Sequence, residues 1–257
     1  MHSFIAFRLY GPLAAWGDIA VGEQRPTTPH PSKSAVLGLL AAALGIQRDD
    51  DPRHASLASG YRFAVRVDAM GAPLRDYHTS QLAKSTARLR HLQTRRDELA
   101  DRGSLATVLS TRDYRADALY TICLHWRAVP DAPQPQSVVA ALKEPGFALY
   151  LGRRSCPPAL PLSPRLIQAD DLPTALGAYD EAERAAYAAA GASEQWHRIE
   201  ERLHTRPAED AAYYWEDGVP TGAMRPTTTT PRYDQPGSRA RRQFAPRSEH
   251  HRTGGSG

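Results

Sequence analysis

The chain has 257 residues, 41% of them hydrophobic, and 21 prolines, enough for a buried core in one large or two small domains with many loops. A formal charge of +4 is too small to prove an anionic partner by itself, so the placement of the cations carries more information than their sum. Cys123 and Cys156 fit neither a disulfide framework nor a CxxC metal site, a reducing cytoplasm is the simplest compartment, and Phe4–Leu9 is a short alternating run rather than a secretory core.

Ser3–Tyr10 alternates and predicts a first strand, ended by Gly11-Pro12. A proline-punctuated loop follows, with Arg25, Thr27 and His30, and gives way to an apolar run from Ala35 to Leu44 closed by Gly45. That run predicts a helix with Ser32 or Ser34 as N-cap and Gly45 at its exit. At 1.5 Å per residue it is roughly 20 Å long, too short and alanine-rich for a membrane span, and no membrane partner is expected. Its N-terminus, with backbone N–H groups beside Arg25, His30, Ser32, Lys33 and Ser34, has the makings of a phosphate seat; an ordinary capped helix is the alternative. Lys33-Ser34 does not complete a nucleotide P-loop, because the glycines that motif needs before the lysine are missing.

Tyr61–Asp68 predicts a second strand, and Leu74–Thr79, carrying Tyr77 and His78, a third paired with it. From Arg75 to Arg115 there are nine Lys or Arg against five Asp or Glu and only a weak apolar stripe, which predicts an excursion that orders on a partner. Arg112 and Tyr114 stand where it returns, and Ala118–Trp126 is a strongly apolar strand. A short helix over Ser137–Lys143 follows, then Gly152-Arg153-Arg154 before Cys156-Pro157-Pro158, a cationic turn suited to phosphate. Leu160–Ala169 contains a final strand, Asp171–Leu203 predicts peripheral, acidic helices, and beyond Pro207 the chain is irregular, arginine-rich, and a flexible tail from 248. The element order suits an α+β, ferredoxin-like sandwich with helices on one face of the sheet.

Catalytic signatures are absent from the sequence: Asp49-Asp50-Asp51 lacks partners at ligand spacing, and there is no HExxH or G-x-S-x-G. No cofactor is expected. Metal-independent RNA cleavage is the one chemistry with candidates, namely His30, Lys33, Tyr77 and His78. A generic RRM-type binder is disfavoured because its aromatic signatures are missing.

The segments RLYGPLAAWGD, RPTTPHPSKSAVLGLLAAALGIQRDD, LRDYHT, YLGRRSCP and RRQFAPR resemble, in the same order across residues 1–247, the CasD family, RAMP subunits of the type I-E CRISPR surveillance complex Cascade. The resemblance implies a ferredoxin-like (RRM-like) RAMP body over 1–170, with 80–113 as a projecting thumb, a smaller, partly β C-terminal part over 171–247, and a tail over 248–257. It also implies a non-catalytic subunit that grips the 5′ handle of the CRISPR RNA (crRNA). Its partners would be the adjacent backbone subunit and the large PAM-recognising subunit, with target DNA contacted indirectly. The RNA-binding residues implied by residues and resemblance together are Arg25, Thr27, His30, Ser32, Lys33, Ser34, Tyr77, His78, Arg112, Tyr114, Arg153 and Arg154.

Overall fold

The computed structural model describes residues 1–18, 20–84, 94–100, 102–238, 241 and 243–254. The strands are β1 (His2–Ala14), β2 (Gln24–Arg25), β3 (Tyr61–Ala69), β4 (Ala72–Ala83), β5 (Leu105–Trp126), β6 (Arg165–Ala169), β7 (Ala212–Glu216), β8 (Thr228–Pro236) and β9 (Phe244–Thr253). The helices are α1 (Lys33–Ala43), α2 (Asp51–Gly60), α3 (Arg95–Glu98), α4 (Pro135–Lys143), α5 (Leu172–Ala189) and α6 (Ser193–Leu203). All strands join one mixed sheet in the order β6-β1-β5-β3-β7-β9-β8, with β2 and β4 paired to β5 off that path. No helix among the described residues is long and apolar enough to cross a membrane.

β5 organises the molecule. Its C-terminal half is apolar and lies between β1 and β3, with Ile122 opposite both Phe7 and Val65. Its N-terminal half, poorer in large apolar residues, runs on beyond β3 and pairs with β4 from Ala72↔Ala116 to Ala83↔Leu105 as a ribbon, joined at its root by β2. The change of direction sits at Asp117, whose φ of 54° puts it in the left-handed region and whose carboxylate accepts a 2.8 Å bond from Tyr10 Oη. The expected excursion over 80–113 is therefore built on strands at both ends, because inter-strand pairing satisfies its backbone even though it buries little. Its stretch 85–93 lies outside the described residues.

One sheet face is covered by α1, α2 and α4. Ile5, Phe7, Leu9, Phe63, Val65, Tyr120 and Ile122 meet Val36, Leu37 and Leu40 of α1, Leu57 of α2, and Val138 and Leu142 of α4. α1 starts as expected, with Ser32 Oγ accepting from Ala35 N, and Gly45 follows it at φ +66°. α2 has no counterpart in the sequence expectations: Asp50 is its N-cap and Pro52 sits in its first turn, so part of the acidic triplet is a helix start.

Two corrections follow. The acidic helices are not peripheral, and helices lie on both faces. Leu172, Ala175, Leu176 and Tyr179 of α5 form a stripe that packs on Phe4, Ala6, Cys123 and Trp215 on the opposite face. Beside this core lies a charged layer. Arg66 holds Asp180 through two 2.7 Å bonds and Asp68 at 2.5 Å, while Glu183 takes Arg165 at 2.6 Å and Arg8 at 3.7 Å. Burial works against the Arg66 charge, but Asp68 and Asp180 outweigh it and hold the guanidinium above its ordinary range. The second correction concerns the C-terminus. Residues 248–253 are not a tail but the end of β9, which pairs with β7 and β8 and carries His250 and His251.

Candidate nucleic-acid interface

The expected phosphate seat at the N-terminus of α1 is filled by the chain itself. Lys33 is fully buried; its ammonium donates to Glu216 Oε2 at 2.8 Å and its backbone N–H to Asp234 Oδ2 at 2.8 Å. Desolvation pulls the Lys33 pKa down, with Glu216 opposing it. His30 is buried between rings and acids: it stacks on Tyr214 at 3.8 Å, and its Nε2 lies 3.2 Å from Glu249 Oε1. Arg247 binds both Asp234 and Glu249, which ties the C-terminal strands to α1. Burial alone would raise the Glu249 pKa, but His30, Arg247 and Arg232 hold it at about 2. Ser32 is the helix cap, and Ser34, half-buried, shares a 3.1 Å bond with it. Thr27 Oγ1 accepts from Trp16 N at 2.8 Å and secures the loop before α1. His30, Ser32 and Lys33 are therefore structural here: their polar atoms are buried and already partnered, so none offers a phosphate an open donor.

A second cationic cluster forms at the root of the ribbon. β2 runs parallel to β5 and sets Arg25 opposite Arg112, while β4 sets Asp76 opposite Arg112 from the other side. Arg112 is half-buried, and among the described residues no carboxylate is bonded to it. The turn 152–156 is pressed against the loop after β1, with Ala15 N donating to Leu151 O at 3.0 Å and Cys156 N to Arg153 O at 2.9 Å. Gly152 has a φ of +85°, and a Cβ there would come within 1.9 Å of Ala15 O, so only glycine permits this approach.

That turn delivers Arg153 to the ribbon. Its guanidinium lies over the Tyr114 ring at 4.5 Å and donates from Nη2 to Arg25 O at 2.9 Å. Arg153 Nη1 is buried with no acceptor among the described residues, and so is Arg115 Nε one residue beyond Tyr114. A buried donor without an acceptor costs about 1–3 kcal/mol, which makes both groups conspicuous. Arg154 is exposed.

Strand alternation sorts the remaining candidates. His78, opposite Ser110, shares a ribbon face with Asp76, Arg112 and Tyr114. Tyr77, 65% exposed and opposite Thr111, lies on the reverse face with the Arg75–Asp113 ion pair. Tyr114 is buried beneath Arg153 and so supports that guanidinium instead of offering an open stacking surface. Arg25 is exposed, although its Nη1 turns back to Gly22 O and Gln24 O. Arg115 escaped the sequence reading; its position one residue past an aromatic at the ribbon root is the signal that was available.

The comparisons with known proteins agree with one another. The model of a family described as "CRISPR-associated protein (Cas_Cas5)" matches residues 4–249. The "CRISPR system Cascade subunit CasD" of Escherichia coli (strain K12) is 36% identical over 188 residues, which cover 70% of this chain and 78% of that protein. A solved chain of a "CRISPR RNA-guided surveillance complex" superposes with a TM-score of 0.60 at 24% identity, covering 98% of this chain and 90% of that one. Another, titled "Crystal structure of Cas protein", gives 0.57 at 25% identity, with 97% and 94% covered. The match over nearly the whole chain, in sequence and in fold, shows that this chain belongs to the Cas5 family of CRISPR-associated proteins, the family of the Cascade subunit CasD.

Proposed function

We propose that the chain is a non-catalytic, RNA-binding subunit of a type I-E Cascade complex in the cytoplasm, capping one end of the particle by gripping the 5′ handle of the crRNA. The strand order β6-β1-β5-β3, with α1 after β1 and α4 after β5, supports a ferredoxin-like RAMP body whose thumb is the β4–β5 ribbon and the segment it carries. One observation carries the reading: Arg153 is held over Tyr114 beside Arg25 and Arg112 with an Nη1 donor left unmatched. A small rotation of this half-buried side chain brings that donor to an RNA phosphate or base edge, and Arg112 supplies a second cation on the same face. The other sheet face is closed by α5 and α6, so RNA is directed to the ribbon root rather than to the open sheet of an ordinary RRM.

The same ribbon face displays Leu74, Leu82 and Val108, each 40–43% exposed, which suits contact with the neighbouring backbone subunit. The large PAM-recognising subunit and, through it, target DNA complete the partner set. Cleavage is disfavoured by geometry: His30 and Lys33 are buried in their own pairs, and Tyr77 and His78 project from opposite ribbon faces. The test is to assemble the particle with Arg112→Glu and Arg153→Ala. Loss of handle retention with uncut repeat RNA supports the reading; full retention, or discrete cleavage of repeat RNA by the pure protein in EDTA, overturns it.

A further inference from the structure

The β8–β9 hairpin has no part in the handle reading, and its chemistry points elsewhere. β8 is four strands from β5 in the sheet, on the order of 19 Å at 4.7–4.9 Å per step. Between Thr228 and Thr253 the sequence has six arginines and only two acids, Asp234 and Glu249. Both acids point inward and are 7% and 3% exposed, bonded to Arg247 and, for Glu249, to Arg232 as well. The hairpin's own two acids are therefore turned inward and paired, and the carboxylates that reach it from other elements are Asp51, at Ser238, and Asp217, at His250.

The turn that joins the strands is arginine-rich: Arg239, Arg241 and Arg242 fall between Pro236 and Phe244, of which Arg241 is described and exposed. The base of the turn is anchored. Gly237 N donates to Gln243 O and Gln243 N to Ser238 O, both at 2.9 Å, and Ser238 Oγ donates to Asp51 Oδ2 at 2.7 Å. Two large rings flank it in the open, Tyr233 at 63% and Phe244 at 47% exposure. Tyr233 faces out by strand alternation, between Arg232 and Asp234, which both turn inward to their ion pairs.

Cations for phosphates beside exposed rings for bases are the pairing that a single strand requires. A duplex keeps its bases stacked and gives such rings nothing to cover. We propose that the β8–β9 hairpin is a second contact for single-stranded nucleic acid, with Tyr233 and Phe244 as stacking surfaces and Arg241 on the phosphates. This site is separate from the ribbon root and does not depend on the handle reading.

The test uses the full chain carrying Arg112→Glu and Arg153→Ala, which silences the ribbon root, and fluorescent 12-nucleotide oligo-U, oligo-dT and a 12-bp duplex. Both single strands are expected to bind more tightly than the duplex. Adding Tyr233→Ala and Phe244→Ala should weaken single-strand binding at least tenfold, while Tyr233→Phe restores it to within twofold of the unaltered hairpin. Arg241→Glu should lower the slope of log affinity against log salt by at least about 0.7. A preference for oligo-U or for oligo-dT supports the site and names the source of its strand. The proposal fails if the ring variants, with unchanged thermal midpoints, leave single-strand affinity within twofold or reduce duplex affinity by the same factor.

Discussion

The N-terminus of α1 and the root of the ribbon look alike in sequence, since both place cations and hydrogen-bond donors around a turn. The structure separates them by what their donors meet. At α1, the Lys33 ammonium, His30 and the Lys33 N–H meet Glu216, Glu249 and Asp234 respectively, all buried, so the local charge is balanced by the chain itself. At the ribbon root Arg112 has no bonded carboxylate among the described residues, and Arg153 and Arg115 each keep a buried donor without an acceptor. A cation marks a ligand site only when its own fold has not already satisfied it, and charge patterning alone cannot tell the two cases apart.

The largest test of that contrast is Lys33→Met. It leaves Glu216 buried with only Arg62, 3.8 Å away and partly exposed, to oppose it. A loss of about 3–5 kcal/mol of stability is expected in thermal or urea unfolding, with handle affinity retained by the folded fraction. Weak binding at full stability would instead make Lys33 a ligand residue.

Acid provides the next test. The Glu249 pKa of about 2 lies below its unfolded value near 4.5, so the stability it contributes is present above pH 4.5 and is lost as pH falls toward 2. Urea titrations across that window should show a loss of about 3 kcal/mol, which Glu249→Gln abolishes by removing the titration.

At the ribbon root, Arg153→Ala or Arg112→Glu should each cost about 1–3 kcal/mol of handle binding with little effect on folding, and each should reduce the salt slope. The smallest expected effect is from Tyr77→Ala. Its side chain stands on the reverse ribbon face, so handle affinity should change by less than about 0.5 kcal/mol in a filter-binding assay.

Much of the body was legible because local chemistry and periodicity agreed. The Ser32 cap, the apolar run to Leu44 and Gly45 gave α1, and the alternation of Phe63, Val65 and Val67 gave β3. The stripe Leu172, Ala175, Leu176, Tyr179 was equally readable, yet the acidic composition around it suggested a peripheral helix; the stripe was the better guide. α2 was missed because Asp49–Asp51 invited a search for ligands, whereas an aspartate followed by proline is also a helix start. β9 has no apolar alternation to find. Its inward residues include Arg247 and Glu249, buried through ion pairs with each other and with Asp234 of β8 and His30 of the loop before α1. The burial of Lys33 had no local signal either, since Glu216 and Asp234 lie 183 and 201 residues away in sequence.

The central claim is that the guide's handle lies on the ribbon root and not at the start of α1. A crosslink map of the assembled particle, with crRNA carrying 4-thiouridine through its 5′ handle, tests it most directly. The account predicts adducts on the stretch from Ser110 to Arg115, on the turn at Arg153–Arg154 and on His78, with none on His30–Lys33. Adducts confined to the Pro29–Ser34 loop, with the ribbon root unmarked, would contradict it.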